Sequence, residues 1–227
     1  MSLVNIQNVF KMYGRGHAAT HALRGIDLSI NAGEFVALSG ASGSGKTTLL
    51  NLTAGFDFAD SGSVVFLERE LSSLTEKQLA LFRRKHVGFV FQMLNLLPTM
   101  TAIENIQIPM ALNGFPGADQ KARALRLLEI AGLSERANSF PKELSGGEQQ
   151  RVAALRAAAH SPDLILLDEP TSSLDTENAK VLLELLSNLN KEVGVTLIIS
   201  THDERISRLA KRRVILCDGA VVGDVSE

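Results

Sequence analysis

The chain has 227 residues, 45% apolar and 21% charged, an ordinary globular composition long enough to bury a core without staples. Its single cysteine, Cys217, excludes a disulfide scaffold or a Cys-rich zinc site; no apolar run reaches the ~20 residues of a membrane helix, and residues 1–5 carry no secretory signal. A net charge of −2 gives no general attraction to nucleic acid, and no nucleic-acid partner is expected.

Along the chain, Ile26, Leu28 and Ile30 alternate with Asp27 and Ser29, the period of a half-buried strand. Asn31-Ala32-Gly33 reads as a turn and residues 34–38 as the next strand, so the early strands suggest an antiparallel element. Then comes Gly40-Ala41-Ser42-Gly43-Ser44-Gly45-Lys46-Thr47, opening a helix predicted over 48–54. The apolar runs 64–67, 87–91, 164–167 and 195–199 fit buried strands of a parallel sheet, with helical stretches between several of them. Residues 93–160 read as helical without a convincing strand. One helix is predicted over 119–131, with Asp119 as its cap, Leu125 and Leu128 on one face and Gly132 just past its end. Another is predicted over 147–159.

The stretch 40–47 matches the phosphate-loop pattern at every specified position, in the strand–loop–helix context that gives the pattern its meaning. Glycines let backbone N–H groups close around phosphate oxygens, and the helix start adds partial positive charge. Lys46 supplies a mobile charge for the β- and γ-phosphates; the Thr47 hydroxyl is a hard ligand for Mg²⁺. In parallel sheets ligands bind at the carboxyl ends of strands. The run 87–91 ends in Gln92, 164–167 in Asp168 and Glu169, and 195–199 runs on to His202. Asp168 is placed to hold Mg²⁺ and Glu169 is the candidate general base for an attacking water. Gln92 could orient water and metal, and His202 could bond a γ-phosphate oxygen.

Leu144-Ser145-Gly146-Gly147-Glu148-Gln149-Gln150-Arg151 contains a capping box, Ser145 with Glu148. Two glycines in a first helical turn cost roughly 1 kcal/mol each against alanine. Propensity gives no reason for them, whereas close approach of a ligand to the backbone does. The stretch would then be a second phosphate-seeking helix start.

With these motifs the chain resembles the ATP-binding subunit of ABC transporters over essentially its whole length. Gly40 to Thr47, with Thr48 beyond, corresponds to Walker A, Gln92 to the Q-loop, and Leu164 to Asp168 to Walker B, with Glu169 as catalytic glutamate. Ser145, Gly146, Gly147 and Glu148 correspond to the signature, Ser173-Leu174-Asp175 to the D-loop and His202 to the switch histidine. Asp175 also reads as the cap of a helix starting near Thr176. Tyr13 sits where the family has an aromatic that stacks on adenine. Asp57, Phe91-Gln92, Asn95-Leu96-Leu97-Pro98-Thr99-Met100-Thr101-Ala102 and Glu104-Asn105 are similar to the bacterial lipoprotein-releasing, macrolide-export and cell-division subgroup, although the His-His pair of the lipoprotein-releasing members is missing after Gln92.

The resemblance implies an α/β fold: a P-loop, RecA-like parallel-sheet core (1–92 and 161–227) carrying an N-terminal antiparallel β element and a helical subdomain (93–160), all in one domain. It implies ATP and Mg²⁺ bound between two copies in a head-to-tail homodimer, each ATP on the phosphate loop of one chain and against Ser145 and Gly147 of the other. It also implies an integral membrane permease as partner, docking near Met93, Leu94 and Leu97, and a cytoplasmic place on the inner membrane face. The expected function is to energise transport; the alternative is a signalling or mechanotransmission module acting on a membrane partner without moving substrate.

Overall fold

The computed structural model describes residues 2–14 and 19–226, without the side chains of 192 and 193. It divides into two compact units, Met1–Arg83 with Thr196–Glu227, and Arg84–Val195.

The first unit opens with β1 (Ser2–Tyr13), β2 (Thr20–Asn31), β3 (Phe35–Ser39), α1 (Lys46–Ala54), β4 (Ser61–Phe66) and β5 (Arg69–Glu70), and α2 (Glu76–His86) carries the chain into the second. β1, β2, β4 and β5 form a four-stranded antiparallel sheet in the order β2-β1-β4-β5. Val4, Ile6, Leu23, Ile26, Ile30 and Phe66 are buried on its inner face. Here the run 64–67 departs from the expectation of a parallel strand: β4 pairs antiparallel with both β1 and β5. Its burial alternates from Ser63 to Phe66, so only one of its faces is covered. β3 is different, buried at every residue.

The second unit contains β6 (Val87–Val90), α3 (Ala102–Leu112), α4 (Gly117–Ile130), α5 (Gly146–Ala158), β7 (Leu164–Asp168) and α6 (Thr176–Val193). β6 and β7 are parallel, with Val90 opposite Leu167. Between them the chain is helical, and α3, α4 and α5 pack on one another. α4 corrects two expectations. Pro116, not Asp119, occupies the cap position, and Asp119 lies in the first turn. Leu125 is exposed, while Ala124, Leu127 and Leu128 form the buried stripe. Gly132, at φ 66, does end the helix in the left-handed conformation.

The chain then returns to the first unit with β8 (Thr196–Thr201), α7 (Glu204–Leu209), β9 (Arg212–Cys217) and β10 (Ala220–Ser226). β3 lies between β8 and β9 and parallel to both, and β10 pairs antiparallel with β9. Arg212 ties this edge, bridging Glu34 at 2.8 Å and Asp224 at 2.7 Å.

Candidate functional site

In the first unit the register Ser39↔Thr201 brings the ends of β3 and β8 level. The loop 40–45 leaves one and His202 leaves the other, and Lys46 Nζ lies 3.1 Å from His202 Nε2. Lys46 is buried and donates to the carbonyls of Gly40 at 2.9 Å and Ala41 at 3.1 Å, so the lysine arches back over its own loop. Gly40 has no room for a side chain: its φ is 149°, and an added Cβ would run into the Leu216 carbonyl oxygen and the Ser44 hydroxyl. From outside, the loop is braced by the β9–β10 turn, where Gly219 N donates to Ser44 O at 3.1 Å.

α1 begins at Gly45 with no side chain capping it and no acid in its first turn. α3, α5 and α6 are capped by Thr101, Ser145 and Asp175, and α4, uncapped behind Pro116, carries Asp119 in its first turn. Among these helices, α1 alone has neither a side-chain cap nor an acid in its first turn, which suits its start to an outside anion. The buried Ser44 Oγ has no hydrogen-bond partner among the described residues. Thr47 is exposed on the first turn. Together these donors, a buried lysine, a buried orphan hydroxyl and a cradle closed to any Cβ suit a polyphosphate, and the Thr47 oxygen suits a hard divalent cation.

Tyr13 is 42% exposed, and its hydroxyl donates to Asp57 Oδ2 at 2.7 Å. Lys11 Nζ lies 5.2 Å from the centre of its ring and donates to Asp57 Oδ1 at 2.7 Å. The Thr48 side chain also meets the Tyr13 hydroxyl, placing this ring at the flank of α1. Burial pushes the Asp57 carboxyl up, but the hydrogen bonds from Lys11 and Tyr13 outweigh it and hold Asp57 below the usual carboxylate range. Lys11, held by Asp57, supports the aromatic in a way that the sequence patterns do not reveal.

In the second unit, the parallel register of β6 and β7 sends Gln92 and Asp168 from the same edge. Asp168 is 8% exposed at the end of β7, and Gln92 is exposed two residues beyond β6. Glu169 stands at φ 48°, a left-handed conformation that costs a side-chain-bearing residue on the order of 1 kcal/mol or more. Its carbonyl accepts from Ser172 Oγ at 2.9 Å and Ser172 N at 3.2 Å, which hold the sharp turn. The strain turns the glutamate out of the strand direction immediately after Asp168. The segment after Gln92 is pinned from α5: the Arg156 guanidinium donates to Asn95 O at 2.6 Å and Leu94 O at 2.7 Å. Met93, 79% exposed, and Leu97, 42% exposed, point outward from it, with Leu94 half-buried.

The expected capping box at the start of α5 is present. Ser145 Oγ accepts from Glu148 N at 3.3 Å, and Glu148 Oε2 accepts from Ser145 N at 2.7 Å. Glu148 Oε1 is taken by Arg136 Nε at 3.1 Å. The backbone bond from Ser145, with lesser help from Arg136, keeps Glu148 below the usual carboxylate range. Glu148 is thus spent on the fold, with both oxygens engaged. The glycines divide likewise. Gly147 is buried, and a Cβ there would strike the Asn178 side-chain amide, so packing alone demands a glycine. Gly146 is exposed with nothing within 4 Å of an added Cβ. Of the pair, Gly146 is the one the fold leaves unexplained and a ligand could use. Asp175 caps α6, accepting from Asn178 N at 2.8 Å; that backbone bond is the largest of the interactions holding its carboxyl low.

The described residues that hold these motifs fall within known relationships. A family model described as ABC transporter matches residues 23–172, and a second, for an AAA domain, matches 141–207. The lipoprotein-releasing system ATP-binding protein LolD of Bacteroides fragilis is 41% identical over 220 residues, 97% of this chain and 100% of LolD. The macrolide export ATP-binding/permease protein MacB of Marinobacter nauticus is 44% identical over 98% of this chain, which spans only 34% of MacB. Among solved structures, the dimeric post-hydrolysis state of the ATP-binding cassette MJ0796, bound to ADP and Pi, superposes with a TM-score of 0.90 at 39% identity, covering 98% of each chain. An identity of 41% with a relative matched along its whole length, under a family model that covers most of the sequence, means that the chain belongs to the ABC transporter family, as an ATP-binding cassette.

Proposed function

We propose that this chain binds and hydrolyses ATP as one of two copies sharing their nucleotides head to tail, and so energises a membrane transport complex. The observation that carries the reading is the uncapped start of α1, where the buried Lys46, the orphan Ser44 hydroxyl and His202 stand together. Gly40, Ser42, Gly43, Ser44, Gly45 and Thr48 would wrap the phosphates with Lys46 at the β- and γ-positions, and Tyr13 would carry the adenine. Thr47, Asp168 and Gln92 would supply oxygens for Mg²⁺, which when bound spreads positive charge over the β- and γ-phosphates. Glu169 would take the proton of the attacking water, and His202 would donate to a γ-phosphate oxygen. Ser145, Gly146, the backbone of Gly147 and Asp175 would face the nucleotide of the second copy, with Glu148 holding the turn that presents them.

The solved relative is a dimer bound to ADP and Pi, and the names of LolD and MacB attach their cassettes to lipoprotein release and to export. Among the described residues no helix is long and apolar enough to cross a membrane. By analogy with LolD and MacB, the chain would sit on the cytoplasmic face of the inner membrane through a permease subunit, which would dock on Met93, Leu94 and Leu97.

The test is the solution mass of Glu169→Gln by light scattering, with and without Mg-ATP. A monomer that doubles only with nucleotide is the expected result. A chain that stays monomeric with ATP bound, alone and with its permease, overturns the shared-site reading. For the docking surface, Met93→Asp and Leu97→Asp should keep ATPase activity and lose the permease; retention of the permease overturns it.

A further inference from the structure

The atoms nearest to a Cβ at Gly147 are those of the Asn178 side chain, and Asn178 reaches further. Its backbone N donates to Asp175 Oδ1 at 2.8 Å and its side-chain Nδ2 donates to Asp175 Oδ2 at 2.9 Å. Its Oδ1 accepts from Arg151 Nη1 at 3.4 Å, in the second turn of α5 beyond the Ser145 cap. The same amide lies against the Cα of Gly147, where any Cβ would displace it. The half-buried Asn178 therefore touches the first turns of both α5 and α6.

An amide is suited to this place. It offers a donor to the carboxylate on one side and an acceptor to the guanidinium on the other. A flipped amide would set oxygen against carboxylate and NH₂ against guanidinium, so the network admits one orientation. A carboxylate at 178 would satisfy Arg151 but lose the donor and repel Asp175.

We propose that Asn178 is a positioning residue that locks the cap of α6 to the first turn of α5, so that Asp175 and the Ser145–Gly146 corner form one preset surface. This rests on the shared-site reading above, in which both face the second copy. A surface ordered in advance binds more tightly because less is ordered on contact. Asn178 touches no reacting atom; it acts through Asp175 and the α5 start. The glycine at 147 is then the complement of the asparagine at 178.

The experiment places Asn178→Asp and Gly147→Ala each in the Glu169→Gln background. ATP affinity, ATP-driven dimerisation and amide hydrogen exchange over 145–150 and 175–179 are measured. Asn178→Asp should leave ATP binding to the monomer within about twofold of the parent, because the phosphate loop lies outside the residues it touches. Dimerisation should weaken by about tenfold or more, the scale of one lost hydrogen bond to a charged group. Exchange of the α5 first-turn amides should accelerate together with that of α6. Gly147→Ala should reproduce both effects from the other side of the contact. Parent-like dimerisation by both variants, or a loss of ATP affinity in step with dimerisation, overturns the proposal. So does unchanged exchange at 146–150 in Asn178→Asp, whatever the dimer does. A Glu169→Gln parent that stays monomeric with ATP bound overturns the shared-site reading instead, and the exchange measurement then decides the lock in the single chain.

Discussion

Lys46 and Glu169 occupy conformations that only their tasks justify. Lys46 is a buried cation with its Nζ turned onto the carbonyls of Gly40 and Ala41 and onto His202. A buried ammonium is costly unless oxygens surround it. Phosphate oxygens would replace those carbonyls, so Lys46→Ala should raise KM for ATP by an order of magnitude or more, and a nucleotide titration reads it directly. Glu169 holds a strained backbone at φ 48°. Removing a general base costs about 10²–10⁴ in rate while leaving substrate contacts in place. Glu169→Gln should thus lower kcat by about that factor with ATP affinity kept, the opposite split from Lys46→Ala. Turnover like the parent's would remove Glu169 from the base role. Gly40→Ala has no such split: its Cβ meets a backbone oxygen, so the variant should lose nucleotide binding and melt lower.

Helix ends and junctions carry the next level. The end of α5 is stapled to α4 by Arg123, whose Nε donates to Ala159 O at 2.6 Å and whose Nη2 donates to Ser161 Oγ at 2.6 Å. Beside this staple His160 is buried with neither ring nitrogen in hydrogen-bond geometry to any of the described residues. Burial pushes its pKa down, more than the nearby Val87 backbone raises it, and Arg123 and His86 push the same way. His86 is paired with Asp163 at 2.7 Å, so that carboxylate is already engaged. With the folded value below the unfolded ~6.5, the unfolded chain binds more protons between the two. Stability should therefore fall as pH drops through about 6.5 toward the folded value, and His160→Asn should flatten that decline. Urea midpoints of both proteins between about pH 8 and pH 5 test this, and parallel curves would reject it. The same scale marks what the sequence reveals. β3, β7 and β8 are apolar on both faces, and their runs are legible as buried strands. β1 is not, because register shifts between Ile6 and Val9, with Asn8 at φ 47°, break its alternation. β9 begins with Arg212 and Arg213 and lies toward a sheet edge, so its charge hides its pairing. The motif residues were legible because phosphate chemistry fixes their spacing. Asn178, Lys11 and Gly219 were not, because each acts across a fold contact that no local pattern records.

At the scale of the whole molecule, a cassette that shares its nucleotide should couple folding to two ligands, ATP and its own second copy. Binding to the native state alone stabilises by RT ln(1 + [L]/Kd), about 2.7 kcal/mol at a hundredfold excess over Kd. For a chain of 227 residues that corresponds to roughly 5–10 °C in Tm. A monomeric ATP site would give this shift and nothing more, at any protein concentration. A head-to-tail dimer adds a second mass-action step, since the partner also binds only the folded chain. In Glu169→Gln with saturating Mg-ATP, Tm should therefore climb with protein concentration, and without nucleotide it should be flat. Lys46→Ala in the same background should shrink both effects at a fixed ATP concentration, because the phosphate loop must fill before its face meets a second copy. Asn178→Asp should keep the ATP shift and lose the concentration dependence. A Tm with ATP that ignores protein concentration in Glu169→Gln, across a range in which the chain is shown to be saturated, would mean that the nucleotide is held by one chain and that Ser145, Gly146 and Asp175 face something else.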